Sequence, residues 1–259
     1  MSAITESLST LDIRSTRRVP LSRLVRVELR KMADTRAGMW LLIGVCAITV
    51  AAIVIVFAAS DPRERTFMRF MTAVALPQQF LLPVLGILLI TSEWTQRTAL
   101  VNFTLEPVRR RIVTAKLIAA MLFGLGAVLI ALAVATAATA LGGSEVAWQS
   151  VEEGEVGKFG VLQASSILQG LAFGLLILNS AAAISTFFIL PTAFSIVSTF
   201  WKALADVAPW ILLNRATEPL IAPGVMTAEE WTRLGVASLI WIILPMVVGL
   251  FQVLRKEVK

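Results

Sequence analysis

The residue types that do chemistry are scarce in this chain, and their spacing excludes most of it. Among 259 residues there is no histidine, no tyrosine and one cysteine, Cys46. A thiol or imidazole nucleophile with its base, and the His/Cys sets that hold transition metals, therefore lack their side chains. The single Gly-Lys pair, Gly157-Lys158, runs on into Phe159 without the earlier glycine of a phosphate loop. What remains is charge. It gathers in TSEWTQRTALVNFTLEPVRRRIVTAKL, residues 91–117, which holds Glu93, Arg97, Glu106, Arg109, Arg110, Arg111 and Lys116 in a chain only 15% charged. Both signs packed together, with no catalytic set around them, predict a surface that docks against something. No catalytic, metal-binding or cofactor-binding residue is expected.

The elements that must position this stretch are membrane helices. The chain is 57% hydrophobic with five charge-free runs, at 37–60, 70–92, 117–144, 159–201 and 234–254. Each exceeds the roughly 20 apolar residues that cross a bilayer. The run 159–201 is about twice that length and divides at its small, polar stretch, 179–182. The expectation is an all-α integral membrane protein with six spans at 38–59, 71–91, 117–141, 161–179, 182–200 and 234–254. Residues 1–37 precede them and 255–259 follow. A polar stretch as long as 1–37 is too long for a signal-peptide n-region. Cys46, inside the first span and without a partner, reads as a small core hydrophobe.

With both termini cytoplasmic, the inner segments carry 16 of the 23 Lys and Arg, and the outer segments carry 10 of the 17 Asp and Glu. That is the positive-inside pattern of a multi-pass protein of the cell membrane, of the bacterial inner-membrane kind. It accounts for the net charge of +6 and removes the need for a nucleic-acid partner. No expected span holds Asp, Glu, Lys, Arg or His, so the chain carries no evident means of coupling transport to an ion gradient. The neutral polar residues Gln78, Gln79, Gln169 and Asn179 are candidates for lining a substrate path. Interhelical hydrogen bonding, worth about 1 kcal/mol each, is the competing reading.

Two charged stretches lie on the cytoplasmic side. In 21–40 a helix places Leu21, Val25, Leu29 and Met32 on one face and Arg23, Arg26 and Arg30 on the other, the pattern of a helix lying along the membrane interface. Glu28 falls inside the apolar face, so it must meet a cation, either Lys31 one turn on or a basic residue of the second stretch. In the second stretch, Ser92 is placed to cap a short helix with Glu93 in its first turn. Pro107 ends that segment, and Arg109–Arg111 open the helix of the third span.

SEWTQRT followed by an apolar run and EPVRRRIVTAKL resembles the cytoplasmic signature of type-2 ABC transporter (ABC-2) permeases, and ELRKMADTRAGMW resembles the elbow helix that opens those subunits. Six spans in about 260 residues match the family's half-transporter over essentially the whole chain. One departure is Arg97, where the family often has glycine. The resemblance implies the permease subunit of an ATP-driven exporter, whose residues 92–106 form a coupling helix seated in a separate ATP-binding subunit. On that reading the coupling residues are Glu93, Arg97, Thr98, Leu100, Phe103, Pro107, Arg109, Arg110 and Lys116, and the elbow residues are Glu28, Arg30, Lys31 and Arg36. The implied partners are the ATP-binding subunit, which holds ATP and magnesium, a second permease subunit, identical or related, and membrane lipid. Two other classes compete: a secondary carrier or channel-like protein, and a non-transporting membrane anchor.

On the outer side, the loop 142–160 is acidic, with Glu145, Glu152, Glu153 and Glu155, and reads as a solvated face. Residues 201–231 hold apolar patches too short to span, broken by Pro209, Pro219 and Pro223. They fit a pair of short re-entrant or surface helices able to gate the outer end. Thr227 with Glu230 forms a capping box that opens the last helix.

Overall fold

The computed structural model describes residues 19–96, 104, 106, 108–148, 151 and 154–255. Among these, all regular structure is helical. Helix α1 spans Leu21–Asp34, and its heptad-like spacing buries Val25, Glu28 and Met32 while Arg23, Arg26 and Arg30 face outward. At Thr35 the backbone turns extended, and the threonine side chain accepts a hydrogen bond from Gly38 N at 3.2 Å. A Cβ at position 38 would stand 2.0 Å from the Met32 carbonyl oxygen, so only glycine lets α2, Arg36–Ala59, leave α1 this sharply.

Six helices are long and apolar enough to cross a membrane: α2, α3 (Phe67–Thr95), α4 (Arg109–Gly142), α5 (Glu155–Ile177), α6 (Ser180–Phe200) and α9 (Ala228–Arg255). Between α6 and α9 lie α7 (Lys202–Ile211), α8 (Leu213–Ala216) and a single 3-10 turn, Glu218–Leu220. The capping box expected at Thr227 is present, with both reciprocal bonds to Glu230. Leu178, in the left-handed conformation at φ 55°, ends α5, and Asn179 caps α6 by accepting from Ala182 N at 3.0 Å, which sets the break in the long apolar run. Midway along α9 a π-helical turn, Leu239–Ile243, brings Trp241 Nε1 within reach of the Ile211 carbonyl at the end of α7.

Helices α3, α4, α5 and α9 overrun the charge-free segments, and several of the charges they take in are received by partners, Glu93 and Lys116 among them. Helix α3 runs on to Thr95, so Ser92 and Glu93 sit in its last turn. The expectation that Ser92 caps a separate helix with Glu93 in the first turn is therefore overturned. Nothing at 88–92 breaks the α3 pattern, and Glu93 is turned inward and buried.

Helices α3 and α5 form the central pair, and α2 and α6 lie at the margin with 17% and 11% of their apolar windows buried. The central contact depends on small residues: a Cβ at Gly170 would lie 2.1 Å from the Pro83 carbonyl oxygen. A buried polar chain ties four helices together. Gln163 Nε2 donates to Gln78 Oε1 at 3.0 Å, and Gln78 Nε2 donates to Thr49 Oγ1 at 3.2 Å and to the Ala127 carbonyl at 3.4 Å. Outward, α2 presents Trp40, Val54 and Ile55 and α6 presents Ile189, Ile196 and Phe200, all exposed. So much outward apolar surface requires an apolar surround, which marks the chain as a multi-pass membrane protein. Cys46 lies on this outer surface of α2 and is exposed, not in the core; α2 packs against α1, α3 and α4 and still leaves most of its apolar length uncovered.

Candidate functional site

One end of the bundle gathers the basic residues, and its focus is four buried or half-buried charges from three helices. Glu28 belongs to α1, where the spacing that buries Val25 and Met32 buries it as well. Its Oε1 receives Lys31 Nζ at 2.8 Å and its Oε2 receives Lys116 Nζ, from the second turn of α4, at 2.7 Å. Glu93 Oε1 receives both lysines, at 2.8 Å from Lys31 and 2.9 Å from Lys116. Lys116 also donates to the Leu89 carbonyl at 3.0 Å, so all three of its protons are engaged. Glu28 thus meets both of the cations the sequence offered. The lysines differ in depth: the Lys116 side chain is 5% exposed and that of Lys31 is 35% exposed. Burial pulls the Lys31 ammonium downward, but the Glu28 and Glu93 carboxylates outweigh it and hold the group above its ordinary value.

The arginines of the stretch staple the chain ends. Arg109 Nη1 donates to the Val253 carbonyl of α9 at 2.8 Å. Arg111 donates to Glu106 Oε2 at 2.7 Å and, through Nη2, to the Val19 carbonyl. The first turn of α4 thus receives both described ends of the chain. Arg30, Arg36 and Arg110 are exposed. Arg97, Thr98, Leu100, Phe103 and Pro107 lie outside the described residues. Beside the cluster a cavity of about 410 Å³ opens between α1, α2, α3 and α6, with Lys31, Glu93, Ser92 and Ser180 on its wall.

At the opposite end the loop 142–160 does not read as expected throughout. Glu155 is buried in the first turn of α5, and its Oε1 receives Lys158 Nζ at 3.0 Å and Gly224 N at 3.2 Å. Lys158 donates on to the carbonyls of Ala222 at 2.6 Å and Gly224 at 2.8 Å. Glu155 is withdrawn from solvent because the 222–224 loop folds over it. The i, i+3 spacing of Glu155 and Lys158 was the sequence signal for the ion pair, and carried none for the loop that it grips.

Of the four candidate path-lining residues, two line a cavity and two do not. Gln79 and Gln169 face a cavity of about 260 Å³ between α3, α5, α6 and α8. Gln78 is fully buried in the polar chain described above, and Asn179 is the α6 cap. The cavity brings mid-helix residues of α3 and α5 together with Asn214 and Thr217 from the α8 region, so the short segment reaches well into the bundle. Sequence reasoning missed Asn214 and Thr217, which carry no periodic signal in so short a helix. Among the described residues no group of three or more His, Cys, Asp or Glu could hold a metal ion. No family model matches the chain, and no curated protein matches it.

Proposed function

We propose that this chain is the membrane-spanning permease subunit of an ATP-driven exporter of the ABC-2 type, forming half of a translocation pathway and coupled to a separate ATP-binding subunit. The observation that carries this reading is the four-charge cluster of Glu28, Lys31, Glu93 and Lys116. It binds the interfacial helix α1 to both helices that flank the charged segment between α3 and α4. Parting these groups in a low-dielectric setting costs several kcal/mol, so α1, α3 and α4 move as one body. A partner that presses on the segment between α3 and α4 moves all three, which is what a receiver of ATP-driven motion requires.

In this scheme Glu93 acts as an inward strut, and the contact with the ATPase falls to the segment itself and to outward side chains such as Arg110. The cytoplasmic side is the basic end, and the short helices α7 and α8 form the extracellular gate region. The outward apolar faces of α2 and α6 meet lipid and a second permease subunit, the same chain or a relative. ATP and magnesium belong to the partner; this chain supplies no group for hydrolysis.

Purification of the full chain from its native membranes in mild detergent tests the reading. A near-stoichiometric soluble ATPase is expected to accompany it, and Arg110→Glu is expected to weaken that association while the chain still inserts. Glu93→Ala is expected to keep the ATPase bound and to uncouple hydrolysis from transport. Recovery of the chain alone, or transport that proceeds without ATP, overturns the proposal in favour of a carrier or an anchor.

A further inference from the structure

The cavity of about 260 Å³ between α3, α5, α6 and α8 has a hydrogen-bonding inventory in which acceptors outnumber donors. Four hydroxyl side chains on its wall have already given their protons to their own helices: Ser165 to Val161 O, Ser166 to Leu162 O, Thr192 to Phe188 O and Thr217 to Asn214 O. Their oxygens are left as acceptors. Asn214 spends one amide proton on Ser195 Oγ at 2.8 Å, which leaves it one amide proton and its carbonyl oxygen.

Two prolines add to this surplus. Pro83 in α3 and Pro191 in α6 have no N–H to give to the carbonyls four residues earlier, those of Gln79 and Phe187. Both of those residues line this cavity. Against these acceptors stands the amide nitrogen of Gln79, a buried donor that has no partner among the described residues. A buried polar atom without a partner carries a desolvation cost that a ligand would relieve. Gln169 supplies a second amide from α5.

No residue on the wall is charged, so a bare cation or anion would enter without a counter-charge and lose its hydration. The other part of the wall is aromatic. Phe80 and Phe188 stack at 5.9 Å, and Phe187 meets Phe188 edge-on at 5.0 Å. The volume sits just under the ~300 Å³ at which small-molecule pockets begin, room for a single ring.

From this inventory we infer that the cavity between α3, α5, α6 and α8 binds an uncharged, hydroxyl-rich ring, the polar head of an amphiphile, with Gln79 and Gln169 as its donors and the Phe80–Phe188 pair against its apolar face. Hydroxyls supply the protons the wall lacks and accept the one that Gln79 offers, and the carbon-bound hydrogens of such a ring suit the aromatic faces. As a statement about exported cargo this rests on the permease reading; as a statement about binding it needs no ATPase.

The test uses the full chain in lipid nanodiscs, with Cys46→Ser and a single reporter cysteine, Leu213→Cys, on the cavity wall. The rate of maleimide labelling is measured with octyl β-D-glucoside, octyl sulfate or octyltrimethylammonium, each below its micelle concentration. The glucoside is expected to slow labelling at least fivefold and the two charged congeners to leave it unchanged. Gln79→Met and Gln169→Met should each abolish the protection. Gln79→Met should also unfold at the same or a higher temperature, because the amide nitrogen it removes has no bond to lose. Equal slowing by all three compounds overturns the inference, since the chain and not the ring would then be read. It is overturned as well by no slowing, which means the cavity holds only water, by an unreactive reporter, or by protection that survives both Gln→Met substitutions. Protection by the glucoside in a chain that recruits no ATPase would leave the site standing and remove only the permease reading.

Discussion

The two ends of the bundle each bury a Lys–Glu pair and use it differently. At the basic end, Glu28 and Lys116 stand 88 residues apart in sequence, and their side chains meet directly between α1 and α4, with Glu93 of α3 beside them. At the other end, Glu155 and Lys158 lie one turn apart on α5, and both reach for the backbone of the 222–224 loop. The first arrangement reads side-chain identity and fixes how spans sit relative to α1. The second grips main-chain atoms that any sequence could offer and fixes only where a loop rests. A lock between spans is costly to open, whereas a clamp on a loop opens locally.

Lys116→Met tests the difference most severely. It leaves Glu28 and Glu93 buried with only the half-exposed Lys31, a loss of about 3–5 kcal/mol by the measure of broken buried pairs. The expected readout is a large fall in unfolding temperature in nanodiscs, largely restored when Glu28→Gln and Glu93→Gln are added. No restoration would show that Lys116 acts through packing and not through charge.

Lys158→Met should cost less, about 1–3 kcal/mol, because Glu155 keeps the Gly224 N–H. Its mark is local: hydrogen exchange across 221–226 rises while α3 and α4 stay protected. Exchange that rises throughout the bundle would erase the contrast between the two ends. Gly224→Ala sharpens the same point from the loop side. At φ 99° alanine is strained by about 1–2 kcal/mol, so the loop should loosen with both charges intact, seen as faster proteolysis after Ile221.

The smallest effect is expected from pH. Lys31 is held above its ordinary value in the folded chain, so its contribution is present at neutral pH and is lost only as pH climbs through and beyond the ordinary lysine range. At 35% exposure it should be worth less than about 1 kcal/mol. A melting temperature that drops already between pH 7 and pH 9 would contradict the assignment.

What the sequence disclosed follows from which signals are local. An acid on the apolar face of a helix has few outlets, so Glu28 announced its need for a cation, and the Thr227–Glu230 box is a contact within four residues. Ser92 misled because a cap and a mid-helix serine differ only in what precedes them, and α3 continues through a charge whose partners, Lys31 and Lys116, lie far away in sequence. Glu155 looked solvated among acidic neighbours, since nothing nearby in sequence reveals that the loop holding Gly224 folds over it. Gln79 and Gln78 are adjacent and alike on paper. One step of about 100° around α3 sends the first to a cavity and the second to Thr49 and Gln163. Cys46, inside a span and without a partner cysteine, reads as a core residue, whereas an outward face in a membrane has the same polarity as an interior.

The 88 residues between Glu28 and Lys116 also set a timetable. At roughly 5–20 residues per second, Lys116 is synthesised about 4 to 18 s after Glu28. Of the two lysines that hold Glu28 in the folded chain, Lys31, three residues away, is the one already made during that interval. Two lysines on one carboxylate are then an early partner and a late one.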